Sequence, residues 1–234
     1  VPSSPALETR TADRGTPPLP LIALAALACG VVLMGLLQFL PPTSEISPIR
    51  RTISEYALSE NKWLFDLSVA LIAAGSAIAI VLLVRHRLLR PVSLAFPLFA
   101  AWVLGLVMIV IFPKTDWSVG PSLGGSIHRV ASLMAFLCLP IAIMLAARAV
   151  FAHAPRWRRA TQALGAAALL WFTPILVAVL VMAAGGPPWW RSIPLGLVER
   201  GLALTEVLAV AALALGLHLR PAPTGRTLAI PPRT

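Results

Sequence analysis

Nine acidic residues and four histidines are spread over 234 positions, and only a few of them stand where they could meet. Asp66, the pair His128-Arg129 and the pair Glu199-Arg200 each lie at or just inside the start of a long apolar block, with Lys114 and Asp116 just past the end of another. Brought to one end of a bundle, Asp66, Asp116, His128, Arg129, Glu199 and Arg200 would line a polar, ligand-binding pocket. A histidine beside a serine hydroxyl, with a carboxylate orienting the ring, supports acyl transfer or hydrolysis. His128 with Ser54, Ser126 or Ser132, and with Asp66 or Asp116 behind it, is such a set, although no nucleophile-elbow motif accompanies it. The same charges have a structural alternative. Asp66 paired with Arg129 or Arg200, and Glu199 paired with its neighbours, would only staple helix ends together.

Glu206 differs from these. It follows Glu199 by seven positions, about 10 Å of helix rise and roughly the same face. That depth is close to mid-membrane, where a carboxylate costs about 2.5–3.5 kcal/mol even on lenient insertion scales. It should be protonated or paired inside the bundle, with Thr173 and Ser132 at matching depth, and it is the coupling carboxyl of any proton-driven transport. No metal site is expected, because His86, His153 and His218 fall at the basic connections and tail on the opposite side of the membrane from His128, and no ligand spacing links them. Bis-His haem is excluded on the same ground, and no cofactor is implied.

The elements that must position these groups follow from composition. The chain is 58% hydrophobic and 12% charged, about half the charge of a soluble domain. Its apolar residues fall into six blocks, 19–40, 63–84, 92–112, 127–147, 163–184 and 195–217, each about the 20 residues needed to cross 30 Å of hydrocarbon. None alternates as a membrane strand does, so the expected fold is all-α, a polytopic six-helix transmembrane bundle. The domain plan is a tail at 1–18, a transmembrane domain at 19–218 and a basic tail at 219–234. The first block follows a Pro/Ser/Thr-rich stretch without a basic run and lacks a small-x-small cleavage site, which predicts a retained helix. Cys29 and Cys138 fall inside apolar blocks, so no disulfide framework is expected.

A net charge of +10 would suggest nucleic acid in a soluble protein. Here most of the basic residues cluster in alternate connections: Arg10 and Arg14, then Arg85, Arg87 and Arg90, then Arg148, Arg156, Arg158 and Arg159, then Arg220, Arg226 and Arg233. Positive loops stay cytoplasmic. Both termini are therefore predicted inside an inner (cell) membrane, with the 41–62, 113–126 and 185–191 connections outside. Membrane lipids and a membrane-protein partner are the expected contacts, and nucleic acid is not. In the first outer connection Ser47-Pro48 is a cap and first-turn pair, and Ile46, Ile49, Ile53 and Tyr56 recur at helical spacing, which predicts a short interfacial helix. Gly120, Pro121, Gly124 and Gly125 make the second a turn-rich lid. Trp189-Trp190 marks an interface in the third, and Thr173-Pro174 should kink the fifth block.

Ile53-Ser54-Glu55-Tyr56 leading to Trp63-Leu64-Phe65-Asp66 and Gly75 resembles the first-loop signature of a prokaryotic membrane family, domain of unknown function 998. Ile111-Phe112-Pro113 with Asp116, then Gly125-Ser126-Ile127-His128 and Phe136, and finally Glu199-Arg200, are similar to its later blocks. The resemblance runs from about residue 20 to 218. It departs where the family often has Asn at the position of Asp66 and Leu-Gly at Tyr56-Ala57. It implies six helices and a polar outer cluster, and carries no activity across. Three functions remain open: binding of a lipid headgroup or small amphiphile, alone or as an accessory subunit; a hydrolase or transferase centred on His128; and a proton-coupled transporter using Glu206.

Overall fold

A computed structural model describes residues 19–219. The tails expected at 1–18 and, apart from Leu219, at 219–234 lie outside the described residues. All regular structure among the described residues is helical. The α-helices are α1 Leu19–Leu36, α2 Lys62–Arg85, α3 Ala95–Ile111, α4 Leu123–Val150, α5 Pro155–Leu170, α6 Thr173–Ala183, α7 Trp189–Ser192 and α8 Leu195–His218, with short 3-10 helices at Thr43–Glu45 and Ile53–Leu58. By length and composition α1, α2, α4, the combined run Pro155–Ala183 and α8 are apolar enough to cross a bilayer, and α3 is a shorter apolar helix. A helix closes its own backbone hydrogen bonds, which is what hydrocarbon demands of any segment it surrounds. Large apolar side chains cover the outside: Val130, Leu170, Leu176 and Leu180 are all exposed. Patches of that size in contact with water would be a liability, whereas lipid tolerates them.

Small residues let the helices approach closely, as in other membrane bundles. Ser68 of α2 donates a hydrogen bond to the Gly30 carbonyl of α1 at 2.7 Å. A Cβ on Gly105 of α3 would stand 2.8 Å from the Ala131 carbonyl of α4, so glycine sets that spacing. Trp102, buried, ties α3 to α2 through its indole N–H, which donates to Ser76 at 3.1 Å.

Several boundaries differ from the sequence expectation. The 19–40 block is helical only to Leu36, after which the chain turns towards Pro41-Pro42. The fourth block starts earlier, at Leu123, because Ser122 caps it: its hydroxyl accepts the Gly125 N–H at 3.0 Å. The fifth block begins at Pro155, a residue suited to a first helical turn. Arg156, Arg158 and Arg159 consequently sit on helix α5, and the connection to α4 shrinks to 151–154. At the expected kink the fifth block divides into α5 and α6, since Pro174 has no N–H to offer the Leu170 carbonyl, while Trp171 and Phe172 between them keep helical backbone angles.

The short helix predicted from Ser47-Pro48 is replaced by a single turn, in which the Ser47 carbonyl accepts the Arg51 N–H, followed by the 3-10 helix Ile53–Leu58. Of the four residues expected on one apolar face, Tyr56 is fully buried while Ile49 is 55% exposed. The physical reason lies in α8, whose groups take the backbone polar atoms that a helix would have used. The N–H of Leu197 in its first turn is shared between the Pro194 carbonyl at 2.9 Å and the Ile49 carbonyl at 3.1 Å, and two α8 side chains do the rest.

Candidate functional site

Those two side chains are Glu199 and Arg200. Glu199 Oε2 accepts the Ile53 N–H at 2.7 Å. Arg200 Nη1 donates to the carbonyls of Pro48 at 2.8 Å, Arg51 at 2.7 Å and Gly196 at 3.1 Å. Its Nη2 donates to the Tyr56 hydroxyl at 2.8 Å, and the same hydroxyl also accepts from the Gln38 side-chain amide at the end of α1. Neighbouring positions on one helix thus hold a loop by its donors and its acceptors at once. Close approach is part of the device, since a Cβ on Gly196 would stand 2.3 Å from the Arg51 carbonyl.

His128 sits in the first turns of α4 and is 4% exposed. Its Nδ1 lies 2.8 Å from the carbonyl oxygen of Phe112, the residue that ends α3. A carbonyl only accepts, so Nδ1 carries the hydrogen, and in the neutral ring Nε2 keeps the lone pair. That Nε2 is buried and has no hydrogen-bond partner among the described residues. Thr115, also buried, crosses over Gly125 so closely that a Cβ there would meet its hydroxyl at 1.8 Å.

Under these loops lies a cavity of about 70 Å³. His128, Ser132, Glu199 and Ser54 are its polar lining. Apolar side chains from α1, α2, α3, α4 and α8 complete it, among them Met34, Val69, Ile72, Trp102, Leu106 and Val207. Ser132 is spent locally, donating to the His128 carbonyl at 2.9 Å, and Ser54 shares a 3.2 Å contact with the Thr52 hydroxyl.

The remaining candidate residues do not line this cavity. Asp66 pairs with Lys62 one turn earlier on its own helix, and its Oδ1 is buried without a hydrogen-bond partner among the described residues. This replaces the expected pairing of Asp66 with Arg129 or Arg200. Arg129 is exposed and lies over the Trp117 ring, 5.8 Å from its centre. Asp116 is exposed and folds its own loop, accepting the Ser118 N–H at 2.9 Å and the Ser118 hydroxyl at 2.6 Å. Those two bonds hold its carboxyl below the ordinary aspartate range, because they favour the charged form. Lys114 turns to Glu55 and Thr52 of the first loop.

Glu206 is 1% exposed, and neither carboxyl oxygen has a hydrogen-bond partner among the described residues. The partners expected by depth are engaged elsewhere: Thr173 is exposed, and Ser132 bonds to His128. Nor do His86, His153 and His218 join His128, and among the described residues no three of His, Cys, Asp and Glu come together.

Sequence reasoning missed the hub formed by Gln38, Tyr56 and Arg200. Gln38 is the one amide side chain in the first apolar block, a signal of a polar contact at that end. The sequence profile of a family described as "Protein of unknown function (DUF998)" matches residues 21–216. No curated protein and no solved structure is found to be similar.

Proposed function

The chain belongs to the DUF998 family of proteins of unknown function, and from that premise we propose that this multi-pass membrane protein binds the polar end of a small amphiphile in the cavity beneath the first loop. The supporting observation is the lining. Two polar side chains that can recognise a headgroup, His128 and Glu199, stand at the end of a space otherwise walled by Met34, Val69, Ile72, Leu106 and Val207. A mostly apolar concavity with a few convergent polar groups is the common form of a small-molecule site. In the full proposal α3 is a sixth span, both termini are cytoplasmic, the membrane is the inner membrane, and the cavity lies at the outer end. The basic residues at the opposite end, Arg85, Arg87, Arg90, Arg148, Arg156, Arg158 and Arg159, support that orientation.

A comparison of lipid co-purified with the wild type and with His128→Ala tests the reading. A specific lipid present in the wild type and lost in the variant supports it, and identical lipid profiles overturn it. An enzyme would instead build up substrate in the variant. The engaged hydroxyls of Ser132 and Ser54 give the hydrolase reading less support than the binding one. A proton-coupled transporter is a second reading, favoured by one observation: both oxygens of the buried Glu206 are without a hydrogen-bond partner among the described residues.

A further inference from the structure

Three of the four polar groups that face the cavity offer acceptor atoms, and the fourth, Ser54, shares its contact with the Thr52 hydroxyl. Glu199 is a carboxyl whose Oε2 already acts as an acceptor towards Ile53. His128 has committed its Nδ1 hydrogen to the Phe112 carbonyl, so the atom left over is a lone pair in the neutral ring. Ser132 has committed its hydrogen to the His128 carbonyl and keeps only lone pairs. Lys and Arg are absent from the lining, and the two nearest cations in the loop network are occupied. Lys114 is held by Glu55 and Thr52, and Arg200 by three carbonyls and Tyr56. An anion placed here would face the lone pairs of His128 and Ser132 with no Lys or Arg beside it, and burying a charge without a partner is costly. A headgroup that donates hydrogen bonds would satisfy His128 Nε2, a buried atom without a partner among the described residues.

We infer that the amphiphile is a neutral alcohol: a glyceride-type lipid with two free hydroxyls, one donating to His128 Nε2 and the other to Glu199, whose polar end fills the cavity while its hydrocarbon stays outside it. The inference rests on the binding function proposed above and narrows its ligand. It sets anionic phospholipid headgroups aside, although the basic opposite end of the protein would attract them.

The test uses three photoactivatable probes with the same sixteen-carbon chain, hexadecylglycerol with its two free hydroxyls, hexadecyl phosphate and hexadecylamine, on the full chain in detergent, with labelled positions mapped by peptide mass spectrometry. His128→Asn is the informative variant, because its side-chain amide can still donate to the Phe112 carbonyl while Nε2 is gone. Glu199→Gln serves as the second, since its carbonyl can still accept the Ile53 N–H. The alcohol should label cavity residues such as Val69, Ile72, Leu106 and Val207, and labelling should fall about threefold to tenfold in either variant, the effect of losing one hydrogen bond. Labelling of the same residues by the phosphate or the amine at or above the alcohol's level would overturn the headgroup assignment and leave the binding site standing. Equal alcohol labelling in wild type and both variants would also overturn it. If none of the three probes reaches these residues, the binding function itself fails.

Discussion

Arg200 Nη2 and the Tyr56 hydroxyl are 2.8 Å apart, and the guanidinium carbon lies 5.5 Å from the centre of the same ring, so one arginine meets one tyrosine through its edge and its face. Together with the carbonyls of Pro48 and Arg51, this contact fixes the first loop to α8. Arg200→Gln should lower stability in detergent by about 2–3 kcal/mol, because hydrogen bonds to a charged group are the strong ones. Arg200→Gln with Tyr56→Phe should show a coupling of about 1 kcal/mol in a double-mutant cycle. Arg200→Gln with Asp66→Asn should be additive within about 0.5 kcal/mol, since Asp66 is paired with Lys62 instead.

Gly125 offers a steric test. Any side chain there collides with Thr115, at its hydroxyl and at its backbone nitrogen 2.6 Å away. Backbone cannot yield as a flexible side chain does, so Gly125→Ala is expected to cost about 1–3 kcal/mol and lower the melting temperature. Gly35, where a Cβ would meet nothing within 4 Å, is the control. Gly35→Ala should leave the melting temperature unchanged or raise it.

Asp116 predicts a small acid-side slope. Its carboxyl titrates lower in the folded protein than in the unfolded chain, so its contribution is complete above the unfolded aspartate value, about pH 4. It fades as pH falls through the lower, folded value. Thermal melts between pH 5 and pH 3 should show that slope in the wild type and a shallower one in Asp116→Asn. Ser118→Ala, which removes one of the two bonds, should fall between them.

Glu206→Gln should insert and fold at least as well as the wild type, since glutamine occupies the same buried space without the possibility of charge. A marked loss of folded protein would show that the carboxyl has an essential partner. In a proton-coupled transporter the variant would lose uptake while keeping its melting temperature, and unchanged uptake would remove that reading.

Reporter fusions test the proposed orientation. Both termini and the 148–159 region should report cytoplasmic, and the 41–62 connection should report external. An external signal from either terminus would overturn the six-span proposal.

The apolar blocks were legible because lipid demands an unbroken apolar stretch, and a run such as 63–84 allows no other reading. The ends were less so. Helix α5 begins in the polar segment Pro155-Arg156-Trp157-Arg158, where hydropathy is silent although the backbone is already helical. Charge complementarity misled at the site: Asp66 and Arg200 are opposite in sign, yet Arg200 chose the carbonyls of Pro48, Arg51 and Gly196, groups that every residue carries and no composition marks. His128 was visible as a candidate. Its orientation was not, because that depends on a carbonyl left over at the end of α3.

The bond between Ile53 and Glu199 spans 146 positions of the chain. During biosynthesis the loop leaves the ribosome long before the residues that fasten it, by roughly ten seconds at ordinary elongation rates. Through that interval the carbonyls of Pro48, Ile49 and Arg51 and the N–H of Ile53 lack their α8 partners, and the space beneath them lacks the α8 wall. Maturation of this region is therefore a late event.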